Sequence, residues 1–566
     1  MIKLTKNVFK AMACLLISAN TLSAKEYISS AKGYNGDIKV KVEIDKNEIK
    51  NIEILEQNES SFTKDGMQTI IADVIETQNT KVDNVAGATS TSVGLKRAIS
   101  RAVKDSGAKL IPREKKIVVY KDENTDIVII GGGGAGLTAS ITAKDNGANV
   151  ILVEKAAILG GNTNYATGGL NAANTSIQKS KGIEDSAEKF FNDTMKGGKN
   201  TNNKTLVETL TSNSSEIVDW LMAKGADLSN LGRMGGQSVD RTHRPAGGAP
   251  VGPNVVAALS ETAKKSGVDI RLSTFAESLI YDGEVIKGVV VKAPNGQQYK
   301  INSKAVIIAT GGFGANPEMV VENNAKLLGF GTTNHKGATG DGISMAKTIN
   351  ADLVDMNEIQ THPTVMPSNS VMITEAVRGN GAILVNRDGK RFVNELDTRD
   401  VVSKAELAQK GASAFLVFDE NVKESLKAIN SYAKKGYLVK GNSIEELAQK
   451  LNIPAEELKI TFNKYNNAVK DKKDSEFNRQ SLPRELTKAP FYSVEVAPAV
   501  HHTMGGIKIN QNAEVLSNNK PIPGLYAAGE VTGGIHGANR LGGNAMTDIT
   551  VFGQIAGQNS SEYIKK

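Results

Sequence analysis

Apolar and polar residues alternate along residues 37–55 (DIKVKVEIDKNEIKNIEIL), with a polar break at residues 45–47. Period-two alternation on both sides of a short polar break predicts a hairpin. Between Ser92 and Val103 the apolar residues return at helical spacing, so residues 25–113 read as one small α+β unit. Residues 114–125 are charged and read as a linker. From Asp126 the pattern changes to a buried strand (residues 127–130), a glycine turn, a helix and a second apolar strand (residues 149–153). Uninterrupted β-branched runs of this length are characteristic of parallel strands covered on both faces. The pattern runs to about residue 355 and resumes near residue 500, with a further apolar strand at residues 305–308. Residues 356–499 read as an insertion with strands and helices of its own. The predicted fold class is therefore α/β. A Rossmann-like domain (126–355 and 500–566) is interrupted by an α+β domain and preceded by the small α+β unit. No internal repeat is visible.

The first 24 residues follow a different rule. Residues 1–10 hold three lysines and no acid, residues 11–19 (AMACLLISA) are apolar, and residues 21–24 (TLSA) end in small side chains. This order predicts a secretory signal peptide over residues 1–24 and a periplasmic mature protein. The apolar run is too short to span a bilayer as a retained helix. No later stretch reads as transmembrane, so no integral membrane protein is expected.

Composition narrows the function classes. With 40% hydrophobic and 23% charged residues, the 566-residue chain is globular and long enough for several domains. The net charge of +7 is spread without a dense Lys/Arg block, and aromatics are only 5%. A nucleic-acid partner is not expected. The single cysteine, Cys14, excludes an internal disulfide, a cysteine-ligated metal and a C-x-x-C-H haem attachment. None of the six histidines has metal-binding spacing, so no metal site is expected.

The strongest local motif lies between the two predicted strands. Gly131, Gly133 and Gly136 fill G-x-G-x-x-G, and Glu154 ends the second strand 18 residues after Gly136. The first glycine permits a tight turn, the second a close approach of backbone to a pyrophosphate, and the third close helix packing. The helix N-terminus faces the phosphates, and the acid can accept from ribose hydroxyls. This motif alone leaves FAD and NAD open. Further segments are Gly160-Gly161-Asn162-Thr163, Ala309-Thr310-Gly311-Gly312, GATGDG at residues 337–342, GLYAAGE at 524–530 and HGANRLGGN at 536–544. Their spread over residues 125–560 resembles the succinate dehydrogenase/fumarate reductase flavoprotein family. The resemblance implies a non-covalent FAD. Its cradle would comprise Gly131, Gly133, Gly134, Ala135, Gly136, Glu154, Lys155, Gly161, Asn162, Thr163, Gly168, Gly169, Thr310, Gly311, Gly312, Asp341, Glu530, Arg540, Gly543, Asn544 and Ala545. Residues 356–499 would be a capping domain over the flavin ring.

Residues 83–92 (DNVAGATSTS) resemble the flavinylation motif of FMN-binding domains. The resemblance implies FMN held covalently through a phosphoester on Thr89, in an FMN-binding domain at residues 25–113. Ala86 departs from the usual Ser or Thr. The plainer alternative is a Ser/Thr run capping the following helix.

Residues 361–400 (THPTVMPSNSVMITEAVRGNGAILVNRDGKRFVNELDTRD) and HHTMGG at residues 501–506 are similar to the soluble periplasmic fumarate reductases of the flavocytochrome c type. That similarity implies His362 and Thr374 at one substrate carboxylate, and His501 and Arg540 at the other. It implies Arg399 as proton donor, supplied by Glu375 and Arg378, with Met372 packed beside flavin and substrate. Reduction of an activated C=C bond needs hydride at one carbon and a proton at the next. A dicarboxylate needs donors at both ends. His243, His335 and His502 read as structural or surface residues. The function so implied is reduction of a small unsaturated carboxylate, fumarate first, with electrons from an external donor such as a periplasmic cytochrome c. Urocanate, acrylate or methacrylate reduction on the same scaffold, and a non-enzymatic electron-transfer flavoprotein, are the alternatives.

Overall fold

The computed structural model describes residues 24–566, so the signal expected over residues 1–24 lies, but for Ala24, outside the described residues. The chain forms two compact units, one ending at Lys116 and one starting at Ile117.

In the first unit, β1 (Lys25–Lys32), β2 (Asp37–Asp45) and β3 (Glu48–Glu56) make an antiparallel sheet in the order β1-β2-β3. Lys46 and Asn47 both take positive φ, the two-residue turn whose twist suits a tight hairpin. Ile38, Val40, Val42 and Ile44 of β2 are buried. Helices α1 (Lys64–Thr77) and α2 (Thr89–Ser106) complete the unit, and α2 lays Leu95, Ala98, Ile99 and Ala102 on β1 and β2. Helix α2 starts three residues before the apolar pattern does, at Thr89 itself. No side chain caps it; Ala88 holds the cap position. The Ser92 hydroxyl instead bonds the Ala88 carbonyl and the Val85 amide, at 2.8 and 3.1 Å. The segment before Thr89 is thus a polar loop leading into a helix, without a Ser or Thr side chain capping it.

In the second unit, β4 (Glu123–Ile130), α3 (Gly134–Asp145), β5 (Val150–Val153), α4 (Val251–Lys265) and β6 (Asp269–Arg271) form a parallel βαβ core. Strand β4 starts at Glu123, inside the segment expected to be linker. An antiparallel meander follows: β7 (Phe275–Tyr281), β8 (Ile286–Lys292) and β9 (Gln298–Ile308). The long β9 returns beside β4 and gives the order β7-β8-β9-β4-β5-β6. Next come α5 (Asp341–Thr348), β10 (Ile359–Val365), β11 (Ile383–Val385), α6 (Arg399–Leu407), β12 (Ala414–Asp419) and β13 (Phe491–Thr503). The chain closes with β14 (Glu514–Ser517), β15 (Lys520–Ala527) and α7 (Asn544–Tyr563). Strand β15 pairs with the last residues of β9, and α7 packs on α3.

Two hydrophobic cores result. One draws on residues 127–351 and 500–556, the other on residues 373–496. Strand β13 serves both. Its residues 491–496 pair with β12 and its residues 499–503 with β10. The chain thus leaves one core and enters the other between Val496 and Val500 on one continuous strand. Among the described residues no helix is long and apolar enough to cross a membrane, and no three His, Cys, Asp or Glu side chains gather as a metal ion would need.

Candidate active site

The glycine motif forms the cradle its spacing calls for. Gly131 sits at φ +111, and a side chain there would run into the Ala309 carbonyl. A side chain at Gly136 would strike the Gly131 carbonyl, so β4 and α3 can meet only through glycine. No side chain caps α3 at Gly133. Glu154 is buried; its carboxylate accepts from the Gly132 amide at 2.7 Å and the Ala156 amide at 2.6 Å. Burial pushes the Glu154 carboxyl up, against those two bonds. Lys155 Nζ pairs with Asp341 at 2.5 Å and donates to Thr339 at 2.6 Å. Asn162 Nδ2 reaches Asn334 at 2.7 Å and Glu530 at 3.1 Å.

These groups border a cleft lined by Gly131, Gly133, Gly134, Ala135, Glu154, Lys155, Gly161, Asn162, Thr163, Thr310, Gly311, Asp341 and Glu530. The buried Thr310 hydroxyl has no partner. A glycine-walled cleft with an acid at the strand end and an unpartnered hydroxyl fits a dinucleotide. Other expected cradle residues lie apart from this cavity. A side chain at Gly312 would meet Thr503 and Glu530, one at Gly168 the Met234 side chain, and one at Gly169 the Thr242 side chain. Gly543 has φ +91 against Asn171, and Asn544 accepts from Asn171 at 2.7 Å. Ala545 follows in the first turn of α7. His335, read from sequence as structural or surface, lines the cavity beside Gly337, because the turn that carries it closes on Asn162 at 2.6 Å.

A second cluster gathers four basic side chains. Arg399, the first residue of α6, donates from Nε to Glu375 at 3.0 Å and from Nη1 to Gln360 Oε1 at 3.0 Å. Arg540 donates from Nη2 to the same Gln360 oxygen at 3.2 Å and from Nη1 to the Leu541 carbonyl at 3.0 Å; its buried Nε has no partner. Arg378 Nη2 lies 3.8 Å from Glu375, and Arg244 feels the same carboxylate. Among the described residues Arg540 makes no ion pair. It is 5% exposed, and its guanidinium is pushed down to about 9, by burial first and then by the Arg399 charge. For Glu375 burial pulls upward, but the Arg399 and Arg378 charges prevail and hold the carboxyl near 2. The cluster thus encloses more positive than negative charge.

The histidines face this charge. The His362 and His501 rings are 5.1 Å apart, and His501 Nδ1 bonds the Thr333 hydroxyl at 2.7 Å. Burial, followed by the nearby arginines, holds both far below 6.5, so both are neutral at neutral pH. Thr374 is buried; its amide donates to the Tyr432 hydroxyl at 3.2 Å and its hydroxyl meets Thr167 at 3.3 Å. Met372 lies two residues before it, bridged to Val365. His502 is buried beside His536, with both ring nitrogens unpartnered.

Sequence reading missed Gln360, Arg244 and Thr333. Gln360 had an available signal. It lies two residues before His362 on β10, and residues two apart on a strand share a face. Arg244 and Thr333 had none, because both come from segments outside every motif.

The comparisons with known proteins now bear on this geometry. The FAD binding domain family matches residues 126–546, and the FMN-binding domain family matches residues 33–104. The fumarate reductase (cytochrome) of Shewanella frigidimarina is 49% identical over 80% of this chain and 80% of its own. The chain belongs to the succinate dehydrogenase/fumarate reductase flavoprotein family. The NADH:fumarate oxidoreductase of Klebsiella pneumoniae is another family member, 44% identical over 87% of this chain and 53% of its own. The open conformation of a flavocytochrome c3 fumarate reductase superposes with a TM-score of 0.69 and 44% identity, covering 78% of this chain and 79% of that one. The family fold is a mixed α/β FAD-binding domain, here with an FMN-binding domain ahead of it. The cofactors are FAD and FMN.

Proposed function

We propose that this flavoprotein reduces fumarate to succinate. The observation that carries the reading is Arg540: a buried guanidinium that makes no ion pair among the described residues, beside Arg399 and facing two neutral histidines. A dicarboxylate supplies the missing negative charge. In this reading Arg540 and His501 hold one carboxylate, and His362 and Thr374 donate to the other. Charge that develops on the first carboxylate during reduction is stabilised where it forms. When bound, FAD supplies the hydride and FMN the electrons that replenish it. Arg399 gives the proton to the neighbouring carbon, and its fixed contacts to Glu375 and Gln360 aim it there. Glu375 and Arg378 return a proton to Arg399. Met372 packs against the substrate.

The finer organisation belongs to the same proposal. Residues 25–113 carry FMN covalently on Thr89, the stretch from residue 114 to the start of β4 links the domains, and residues 356–499 cap the domain made by β4, the residues from there to 355, and 500–566. The leader directs the protein to the periplasm, where a cytochrome c acts as external donor. The 49% identity to a fumarate reductase supports the substrate. Anaerobic reoxidation of chemically reduced protein by fumarate, urocanate, acrylate and methacrylate tests it. Fumarate is expected to reoxidise the flavin fastest; a faster monocarboxylate overturns the two-pole assignment.

A further inference from the structure

Arg399 opens α6, and Ser403 and Glu406 follow it by four and seven residues. Positions so spaced share one helix face, and helical side chains lean back toward the N-terminus. Glu406 therefore reaches back over Ser403 in the direction of Arg399. That face is interior: Glu406 is 0% exposed and Ser403 3%. Neither carboxyl oxygen of Glu406 has a hydrogen-bond partner, nor does the Ser403 hydroxyl. The charge acting on Glu406 is that of Arg378, which is itself buried and leaves Nε and Nη2 unpartnered. Arg378 in turn lies 3.8 Å from Glu375, and Glu375 holds Arg399 at 3.0 Å. Buried polar groups are normally satisfied. Here an acid and the guanidinium whose charge it feels both retain unused bonding capacity, and that guanidinium lies next to the carboxylate that holds Arg399.

We propose that Glu406 is the proton reservoir behind Arg378, feeding Arg399 through Arg378 and Glu375. The inference rests on the reading of Arg399 as proton donor. Glu406 touches no substrate; it acts through Arg378. Each turnover takes one proton from Arg399 to the substrate carbon. Glu375 passes Arg399 a proton released from Arg378 Nη2, and Arg378 takes one from the Glu406 carboxyl. The resulting carboxylate takes a proton from water at the end of α6, where Leu407 and Ala408 are exposed. One proton enters from solvent, one enters the product, and no electron moves along this route. Burial pushes the Glu406 carboxyl well above the ordinary range, toward the protonated form a reservoir needs, whereas the Arg399 and Arg378 charges hold Glu375 near 2. The charged groups around Arg378 are Glu375, Glu406, Arg399 and Glu395.

The test uses full-length, FAD-loaded protein. Glu406→Gln keeps the shape and removes the transferable proton; Glu406→Asp keeps the acid on a shorter arm. Glu406→Gln is expected to lower kcat at least about tenfold, the low end of general acid–base effects. Its kcat should fall more steeply as pH rises, and its solvent deuterium isotope effect should grow. FAD content, melting temperature and fumarate affinity should hold. Glu406→Asp should recover part of the rate and the wild-type pH profile. Unchanged kcat, pH profile and isotope effect in Glu406→Gln overturn the proposal, as does a lower melting temperature without any change in those readouts. Arg399→Ala is measured alongside. If it is inactive while Glu406→Gln behaves as wild type, only the reservoir fails. If it retains turnover, the underlying reading of Arg399 fails and the reservoir with it.

Discussion

Arg540 and Arg399 share one neutral acceptor, the Gln360 side-chain oxygen, at 3.2 and 3.0 Å. Two cations held this closely repel each other and need an anion between them. Arg540→Met should therefore cost about 3–5 kcal/mol of transition-state stabilisation, the scale for losing one partner of a buried ion pair. His362→Ala removes a neutral donor and should cost less. Steady-state kcat/KM for fumarate measures both. The pH dependence has a definite sign. With its guanidinium held near 9, Arg540 is a cation at neutral pH and loses its charge above that value. Fumarate Kd should be level below about pH 9 and rise above it. Binding that is flat through this range would mean that the guanidinium keeps its charge above pH 9, contrary to the shift that burial gives it. Gln360→Leu should remove hydrogen bonds to charged donors worth about 1.5–3 kcal/mol, raising KM and lowering kcat together. His362, Arg399 and His501 are legible in sequence because motif carries them. Gln360 carries a weaker signal, its place two residues from His362 on one strand face, which counts only once His362 is assigned.

At the scale of elements, α2 shows what periodicity can and cannot locate. The apolar stripe marks the buried face from Ser92 onward, but the first turn is all Thr and Ser, exposed at Thr89 and Ser90 and buried at Thr91, so it leaves no apolar stripe. The structure starts the helix at Thr89, exposed and with no capping side chain. An 18-residue helix whose first amides lack a side-chain acceptor favours an anion there. A phosphoester on Thr89 would supply one. Acid-precipitated wild-type protein is expected to retain one FMN equivalent. Thr89→Ala should lose it and keep FAD, read by flavin absorbance and intact mass. If all flavin washes off the wild type, the attachment at Thr89 is wrong. Strand β13 shows a second limit. Its run of apolar residues reads as one strand, which it is, yet its two halves belong to different cores. Nothing in the local pattern marks the crossing between Val496 and Val500, because both cores require the same side chains.

At the scale of the whole molecule, the basic cluster draws on distant segments. Gln360 and His362 come from β10, Glu375 and Arg378 from the turn after it, Arg399 from α6, His501 from β13, and Arg540 from the loop before α7. The glycine cradle was legible because phosphate binding dictates residues within one short loop. The cluster was legible only through resemblance, since its members are scattered from Arg244 to Arg540 and no spacing rule joins them. In the proposed reaction Arg399 delivers the proton. An arginine acid is unusual, with an ordinary pKa of about 12.5 or higher. It can serve where it is enclosed, aimed and quickly reprotonated, as its contacts to Glu375 and Gln360 provide. The alternative is a purely structural arginine that ties α6 to the turn bearing Glu375. Fumarate turnover by Arg399→Ala and Arg399→Lys, measured with FAD occupancy, fumarate affinity and melting temperature, separates the two. The expected result is an Arg399→Ala protein that is folded, FAD-loaded and fumarate-binding but nearly inactive, and an Arg399→Lys protein with a small, pH-dependent rate. Near-wild-type turnover by a fully FAD-loaded Arg399→Ala protein would contradict it.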